Sequence, residues 1–263
     1  MLPQEIIDLT IDQLQGSPAA LKSCSLVSRR WATRSQKYLF ARVVIRSDHL
    51  RRWCQKITPG PTGVSSHTTH LVLVAAADPS KEEPWFESSL LTHAFDHLSS
   101  FTNVRALDVI RWKFSDPEGY TTPFAQIAST TRTLRITSPI LESNTFLDFV
   151  SSFGHAESIS VVHPQITAEE FVPPSPLLTP STGFDWTSLR LLDFSDKGLP
   201  LFDWITKFPL RLIRLSVGLQ SQSYHDDSLT ALLQACSETL QALQLCRSAG
   251  GELPSILEKF SLG

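Results

Sequence analysis

The first forty residues place apolar side chains at steps of three and four, which is the spacing of one face of an α-helix. The first such run comprises Ile6, Ile7, Leu9 or Thr10, Ile11 and Leu14. A break follows, in which Gly16 suits the end of a helix, Ser17 the N-cap of the next helix and Pro18 its first turn. We therefore predict one amphipathic helix before this break and a second helix after it.

Two further short runs complete this segment. Leu21 and Cys24 fall on one face of the second predicted helix. Val27 and Trp31 begin the apolar stripe of a third helix, for which Ser28 is a candidate cap. Three helices of this size bury little apolar surface, and units so small usually need a metal, disulfides or a partner. We expect them to dock, either on the rest of this chain or on another protein.

After Ala41 the pattern changes to short β-like runs, several of which alternate apolar and polar residues as half-buried strands do. The runs are Arg42–Ile45, Leu71–Val74, Val104–Val109, Leu134–Ile136, Ile159–Val162, Leu189–Phe194, Leu212–Val217 and Leu240–Leu245. The helical intervals between them are Trp85–Leu98, Thr122–Ala128, Asn144–Phe153, Leu199–Phe208 and Asp227–Cys236. A repeat of one strand and one helix predicts a solenoid of parallel strands. A sheet of βαβ units gives a similar alternation and is the alternative.

Two stretches interrupt this repeat. Residues 58–66 are rich in Pro, Gly and Ser, and residues 171–183 are rich in proline. Both compositions predict surface loops inserted into the repeating units. An insertion that overhangs one face of a solenoid often lies at its binding surface, although a solvated loop is the simpler interpretation.

Charge divides the chain in the same way. Residues 1–56 carry ten Lys and Arg against four Asp and Glu, the rest carries thirteen against twenty-two, and the net charge is −3. This asymmetry indicates two functional parts. The basic part fits an acidic protein partner, and the acidic remainder favours a basic target. Because the basic residues form no nucleic-acid motif, we expect no nucleic acid partner.

The compartment is predicted from what the sequence lacks. The longest apolar run, residues 71–77, is much shorter than the ~18 residues of a membrane span. No basic segment precedes the first apolar helix, as it does in a signal peptide. We therefore expect the cytoplasm or nucleus, with no membrane partner. The cysteines are Cys24, Cys54, Cys236 and Cys246. In those compartments they are expected to be reduced thiols.

No pattern of catalytic residues is present in the sequence. It contains none of GxSxG, the P-loop, GxGxxG and HExxH. His93 and His97 have the spacing of metal ligands on a helix, but no third ligand is placed beside them. We predict no catalytic residue, no metal site and no cofactor. An enzyme of unrecognised type stays open as an alternative.

Residues 1–45 resemble an F-box. The resemblance rests on the order of several short elements: Leu2-Pro3, Glu5-Ile6-Ile7, Leu14, Leu21, Val27-Ser28-Arg29-Arg30-Trp31 and Leu39-Phe40. It implies docking on the Skp-type adaptor of a cullin–RING ubiquitin ligase. The residues that it implies for adaptor contact are Leu2, Pro3, Ile6, Leu14, Leu21, Val27 and Trp31. In a second interpretation, some of these residues hold the three helices together instead. For Leu14 and Leu21, internal packing and adaptor contact are equally open.

Residues 46–263 resemble a degenerate leucine-rich repeat, most clearly in SLRLLDFSD and LRLIRLSV, although the usual Asn of the repeat's turn is absent. Together the two resemblances predict an α/β fold: a three-helix F-box followed by an irregular leucine-rich-repeat-like solenoid of short parallel strands and helices. They imply a substrate receptor of an SCF-type ubiquitin ligase, with an unknown protein substrate. The alternatives are a scaffold without a degradation role and an interaction module whose F-box no longer binds.

Overall fold

Three helices open the chain, as the apolar periodicity predicts. The computed structural model describes residues 3–49, 63–75, 98–114, 121–141, 145–166, 185–194, 199–208, 210–219 and 226–247. The first helices are α1 (Gln4–Gln13), α2 (Pro18–Val27) and α3 (Arg29–Leu39). Ser17 and Ser28 occupy the N-cap positions of α2 and α3, although neither side chain makes a capping hydrogen bond. Gly16 is not the cap of α1, because α1 ends at Gln13 with Leu14 as its C-cap, and the Ser17 N–H donates to the Leu14 carbonyl.

The rest of the described chain alternates strands and helices around a parallel sheet. Its long strands are β1 (Arg42–Arg46), β2 (His70–Val74), β3 (Ala106–Ile110), β5 (Thr133–Thr137), β7 (Ser158–Val162), β9 (Ser188–Phe194), β10 (Arg214–Leu219) and β11 (Ala242–Arg247). Three two-residue strands are β4 (Lys113–Phe114), β6 (Ile140–Leu141) and β8 (Gln165–Ile166). The helices are α4 (Val64–His67), α5 (Thr121–Thr130), α6 (Thr145–Ser152), α7 (Leu199–Ile205) and α8 (Asp226–Ala235).

Each long strand pairs in parallel with the next long strand along the chain. The eight-stranded order is β1-β2-β3-β5-β7-β9-β10-β11, and β4, β6 and β8 form a second parallel sheet in the same sequential order. All eight predicted strands are therefore confirmed, with ends shifted by a few residues. The α/β class with a parallel sheet is confirmed as well. The two-residue strands were not predicted, because two residues are too short to show an alternating pattern.

The same hydrogen-bond pattern occurs at the start of each strand of the eight-stranded sheet from β2 onward. One backbone carbonyl accepts two consecutive N–H groups of the next unit, as when Ala41 O receives Thr69 N and His70 N, both at 2.9 Å. The following acceptor carbonyls belong to Thr69, Arg105, Arg132, Glu157, Thr187 and Ile213. Because one carbonyl satisfies two donors, the turn that enters each strand has the same geometry in successive units.

A left-handed residue follows three of the long strands. Arg111, Ser138 and His163 have φ of 57°, 51° and 54° and stand directly before the segments that contain β4, β6 and β8. Their N–H groups donate to the next unit, to Thr137 O in the case of Arg111. The left-handed backbone conformation is sterically unfavourable for residues other than glycine. Because it recurs at equivalent positions in three units, we infer that the fold requires a sharp corner there.

Aromatic side chains fill the core behind the sheet. Inward positions of the strands are buried Leu, Ile and Val residues, such as Leu107, Leu134 and Ile159. Phe149 of α6 is 1% exposed, and its ring centroid lies 5.2 Å from those of Phe114 and Phe124. Large rings suit this space because it lies between a sheet and the helices that connect its strands.

Some sequence predictions are corrected or lie outside the described residues. Val64–Ser66 was predicted as a loop, but it belongs to α4, where Ser65 is buried and Ser66 Oγ donates to Gly63 O at 2.7 Å. The insertion at 171–183 and most of the predicted helix 85–98 lie outside the described part of the chain. The predicted domain boundary after residue 45 falls inside β1, so the change from helices to sheet comes between α3 and Arg42.

Candidate docking site on the N-terminal helices

A small apolar cluster holds the three N-terminal helices together. Its buried members are Ile7, Ile11 and Leu21, and Leu14, Trp31, Tyr38 and Leu39 pack partly buried against them. This cluster is separate from the large core of the sheet. The helices therefore form a unit with its own small core, in contact with the rest of the chain through α3 and α4.

An ion pair reinforces the contact between α1 and α3. The Arg34 guanidinium donates to both carboxylate oxygens of Asp12, from Nε and Nη2, each at 2.7 Å. Tyr38 Oη donates to Asp12 Oδ1 at 2.8 Å, and the Arg34 guanidinium lies 5.8 Å from the Tyr38 ring centroid. The hydrogen bonds from Arg34 and Tyr38 lower the pKa of Asp12 to about 2. Three hydrogen bonds to a charged group thus converge on one carboxylate.

The stabilisation that this contact gives to the fold decreases at acidic pH. The Asp12 pKa falls from 3.8 in the unfolded chain to about 2 in the fold, so the stabilisation is complete above about pH 4 and is lost as the pH falls toward 2. We expect Asp12→Asn to lower the melting temperature by a constant amount above pH 4 and by less below it. Thermal unfolding of both proteins from neutral to acidic pH measures this difference. A gap that widens on acidification would contradict the assignment.

Four large apolar side chains of this unit remain exposed to solvent. Their exposed fractions are 47% for Ile6, 60% for Leu9, 87% for Leu26 and 64% for Val27. Leu26 and Val27 are the last two residues of α2, and Ile6 and Leu9 belong to α1. Single exposed apolar residues are ordinary in soluble proteins, but two adjacent ones at the end of a ten-residue helix are a candidate docking surface.

The candidate adaptor contacts that the structure describes divide into three groups by exposure. Pro3, Ile6 and Val27 are exposed and so available to a partner. Leu21 is 1% exposed inside the helical cluster, which gives it a packing role in this conformation. Leu14 and Trp31 are intermediate, since each packs against the cluster and keeps part of its surface accessible. Leu2 lies outside the described residues.

Two exposed residues were not among the sequence candidates. Leu9 lies on the side of α1 away from the buried Ile7 and Ile11, and Leu26 precedes Val27 at the end of α2. The sequence prediction placed Leu9 or Thr10 on the apolar stripe of this helix, and the exposure of Leu9 corrects it. At 3.6 residues per turn Leu9 lies about 200° around the helix from both Ile7 and Ile11, so it faces the opposite side. The exposure of Leu26 depends on where α2 ends and α3 turns away, which the sequence alone does not specify.

Cationic side chains follow the exposed end of α2 along the chain. Arg29 and Arg30 come after Val27 and Ser28, and both are exposed at the start of α3. Lys22 and Lys37 are also exposed on the same two helices. Since charges at the rim of an interface mainly accelerate association, this pattern suits a partner with an acidic surface.

The cysteine and histidine candidates form no metal-binding or nucleophilic arrangement within the described residues. Within the described residues, no group of three or more His, Cys, Asp or Glu side chains is placed to hold a metal. Cys236 is 1% exposed, its Sγ donates to Leu232 O at 3.0 Å, and burial raises its pKa to about 11. Such a thiol stays protonated at neutral pH, so it is a core residue. His93 and His97 lie outside the described residues.

One His–Asp pair lies on the sheet. His70 Nε2 and Asp108 Oδ2 are 2.8 Å apart on the adjacent strands β2 and β3. In the described part of the chain no serine, threonine or cysteine side chain bonds to His70, so the pair lacks the nucleophile of a hydrolytic triad. It is a cross-strand contact of the kind that stabilises sheets.

Comparison with known proteins identifies no relative. A scan of the chain against protein-family models found no matching family, and a search of curated proteins found no match. In the described part of the chain, no helix combines the length and apolar character needed to cross a membrane. Function is therefore inferred from the residues and geometry of the chain itself.

Proposed function

We propose that the chain is a substrate receptor of an SCF-type cullin–RING ubiquitin ligase, located in the cytoplasm or nucleus. In this proposal the N-terminal helices are an F-box that docks on a Skp-type adaptor and, through it, on a cullin. The strand–helix units are a leucine-rich-repeat-like solenoid that binds the target. The receptor contributes no catalytic residue of its own. It holds the target near a ubiquitin-charged enzyme and raises its effective concentration there.

The observation that carries the proposal is the exposed apolar pair Leu26–Val27 in a helical unit whose own core is already closed. The small cluster buries Ile7, Ile11 and Leu21 without using this pair. An apolar surface of this kind gains free energy when a partner covers it, at roughly 25 cal/mol per Å² of apolar area removed from water. The exposed Arg29 and Arg30 beside it favour an acidic partner surface.

The sequential strand order supports the solenoid half of the proposal. Each long strand pairs with the next one along the chain, and the two-donor carbonyl pattern recurs at every step. An open α/β sheet of the doubly wound type reverses its strand order at a switch point, whereas a solenoid adds units in one direction. The corners at Arg111, Ser138 and His163 repeat in the same sense. A stack of similar units is the architecture that extended binding surfaces use.

Adaptor binding by the full-length chain tests the proposal. The purified chain and a purified Skp-type adaptor are mixed and analysed by size-exclusion chromatography with light scattering. We expect a stable one-to-one complex, because each chain has one set of N-terminal helices. If the two proteins elute separately at micromolar concentrations, the receptor function has to be abandoned and the exposed apolar pair needs another partner.

A scaffold that binds the adaptor without promoting degradation is the alternative. Both functions give the same adaptor complex, so they differ only in the fate of bound proteins. Proteins captured by the chain in cells are identified, and their half-lives are compared with and without the chain. Half-lives that do not change when the chain is removed favour the scaffold.

A further inference from the structure

Two rows of outward positions on strands β5 to β11 are mostly polar. On these strands the inward residues are buried or partly buried Leu, Ile and Val, and the residues between them point to the opposite side. One outward row, read across the paired strands, is Arg135, Ser160, Arg190, Ser216 and Gln244. The next row is Thr133, Ser158, Ser188, Arg214 and Ala242. We call these two rows together the serine–arginine face.

The charge of this face is entirely positive. Arg135, Arg190 and Arg214 are exposed, and no acidic residue occupies either row from β5 to β11. One strand before β5, Asp108 of β3 continues the first row beside Arg135, and its Oδ2 lies 2.8 Å from His70 Nε2. Within the described residues these three arginines make no side-chain hydrogen bond or ion pair, unlike Arg132, whose Nε lies 3.8 Å from Glu157 Oε1. The chain as a whole has a net charge of −3. A local cluster of unpaired cations on an otherwise acidic segment is a candidate anion-binding surface.

The spacing of the arginines fits an extended peptide. Arg135 and Arg190 share a row and are two strands apart, which places their Cα atoms about 10 Å from each other in a sheet with strands about 4.8 Å apart. Arg214 lies one strand beyond Arg190 and in the neighbouring row. An extended chain advances about 3.3 Å per residue, so acidic side chains two to four residues apart match this spacing.

The residues between the arginines also suit a peptide. Ser160, Ser188 and Ser216 have short side chains, which leave room for a peptide to approach the sheet. Their hydroxyl groups supply hydrogen-bond donors and acceptors. Ser216 Oγ already bonds to Gln244 Oε1 at 3.2 Å. Neither row contains an aromatic residue, and proteins that bind single-stranded nucleic acid without sequence preference rely on aromatic stacking as well as charge. These features favour a carboxylate-rich protein segment over nucleic acid.

We propose that the serine–arginine face binds an extended, acidic segment of a partner protein. Arg135 and Arg190 would pair with its carboxylates, and the serine hydroxyls would contact its backbone. As a statement about a ubiquitin-ligase target it rests on the proposed function, whereas the binding itself does not require the adaptor. It also reverses the expectation from charge composition, since the acidic balance of residues 57–263 alone favours a basic target.

A labelled peptide tests this proposal on the full-length chain. The probe is a fluorescein-labelled peptide of alternating glutamate and glycine, and matched peptides replace glutamate with glutamine or lysine. Fluorescence anisotropy at low ionic strength measures binding. We expect only the glutamate peptide to bind, and we expect added salt to weaken it because exposed charges are screened. No binding of the glutamate peptide, or tighter binding of the lysine peptide, would overturn the proposal.

Paired variants locate the binding surface. We expect Arg135→Gln with Arg190→Gln to weaken peptide binding at least about fivefold, since each exposed ion pair contributes a modest amount. The matched control, Arg105→Gln with Arg211→Gln, removes the same charge at exposed positions outside the face and should change binding less than about twofold. Arg135→Lys with Arg190→Lys keeps the charge and should retain most of the binding. Equal losses in the glutamine pair and the control pair would contradict the assignment.

Two further readouts separate this proposal from its alternatives. Circular dichroism checks that each variant is folded, which we expect because the substituted side chains are exposed. Adaptor binding is measured on the same variants and should not change, so failure of the peptide site and failure of the F-box proposal are distinguishable. Competition with an oligothymidine that binds more tightly than the glutamate peptide would assign the face to nucleic acid and overturn the proposal.

Discussion

Replacing Leu26 and Val27 with glutamate is expected to abolish adaptor binding while the chain stays folded. Both side chains are mostly exposed at the end of α2, so the substitution removes little internal packing. Burying a Leu or Val side chain in an interface contributes about 1.5–3 kcal/mol, so losing two of them lowers the affinity at least about 100-fold. Isothermal titration of the full-length variant with the purified adaptor measures the effect.

The control for this prediction carries the same added charge elsewhere on the unit. Gln15→Glu with Thr33→Glu introduces two acidic groups at exposed polar positions outside the apolar pair. We expect it to weaken adaptor binding by less than about tenfold, through long-range charge alone. If both double variants bind the adaptor as the unchanged chain does, the interface does not include the end of α2.

Trp31 is a less informative position for locating the adaptor-binding surface. It packs against Ile7, Ile11 and Leu21 in the helical cluster, so Trp31→Ala removes a possible contact and also part of the small core. A loss of adaptor binding in that variant would have two explanations, a missing contact or a loosened unit. The exposed pair separates them, because Leu26 and Val27 lie outside the cluster.

Replacing Phe149 with alanine is expected to destabilise the sheet domain by about 3–5 kcal/mol, which is the usual cost of removing a buried phenylalanine side chain. Phe149 is 1% exposed, and its ring lies 5.0 Å from that of Phe153 and 5.2 Å from those of Phe114 and Phe124. The substitution therefore leaves a cavity lined by several rings at once. Urea unfolding followed by tryptophan fluorescence measures the change in the free energy of unfolding.

Two companion variants define the expected pattern. Phe149→Leu keeps most of the volume and should destabilise clearly less than Phe149→Ala. Gln126→Ala changes an exposed position of the adjacent helix α5 and should alter stability by less than about 0.5 kcal/mol. A similar small effect in all three variants would mean that the aromatic cluster is not tightly packed.

The repeating strands were predictable because their signal is local. Runs such as Leu71–Val74 and Ile159–Val162 are short and rich in Leu, Ile and Val, and each became a strand. The helix over residues 145–152 was equally clear, since its apolar residues face a single side. The corners at Arg111, Ser138 and His163 were not predictable, because Arg and Ser seldom adopt a left-handed backbone and the enrichment of His there is too small to identify one residue.

The candidate docking residues were only partly predictable. A resemblance in sequence selects positions, but it does not separate a residue that contacts a partner from one that supports the helices. Leu21 and Val27 were both candidates, and the structure buries the first while it exposes the second. The serine–arginine face was missed for a related reason, since Arg135, Arg190 and Arg214 are far apart in the sequence and become neighbours only through strand pairing.

The sequence by itself determined the eight long strands and most of the described helices, the division into a helical start and a repeating remainder, and the uneven charge along the chain. These properties depend on the spacing of apolar residues and on local composition, so neighbouring residues specify them. Only the tertiary structure decided which apolar side chains remain at the surface and which charges lie together. Both depend on the packing of segments that are distant in the chain, such as Asp12 against Arg34 and Arg135 near Arg190.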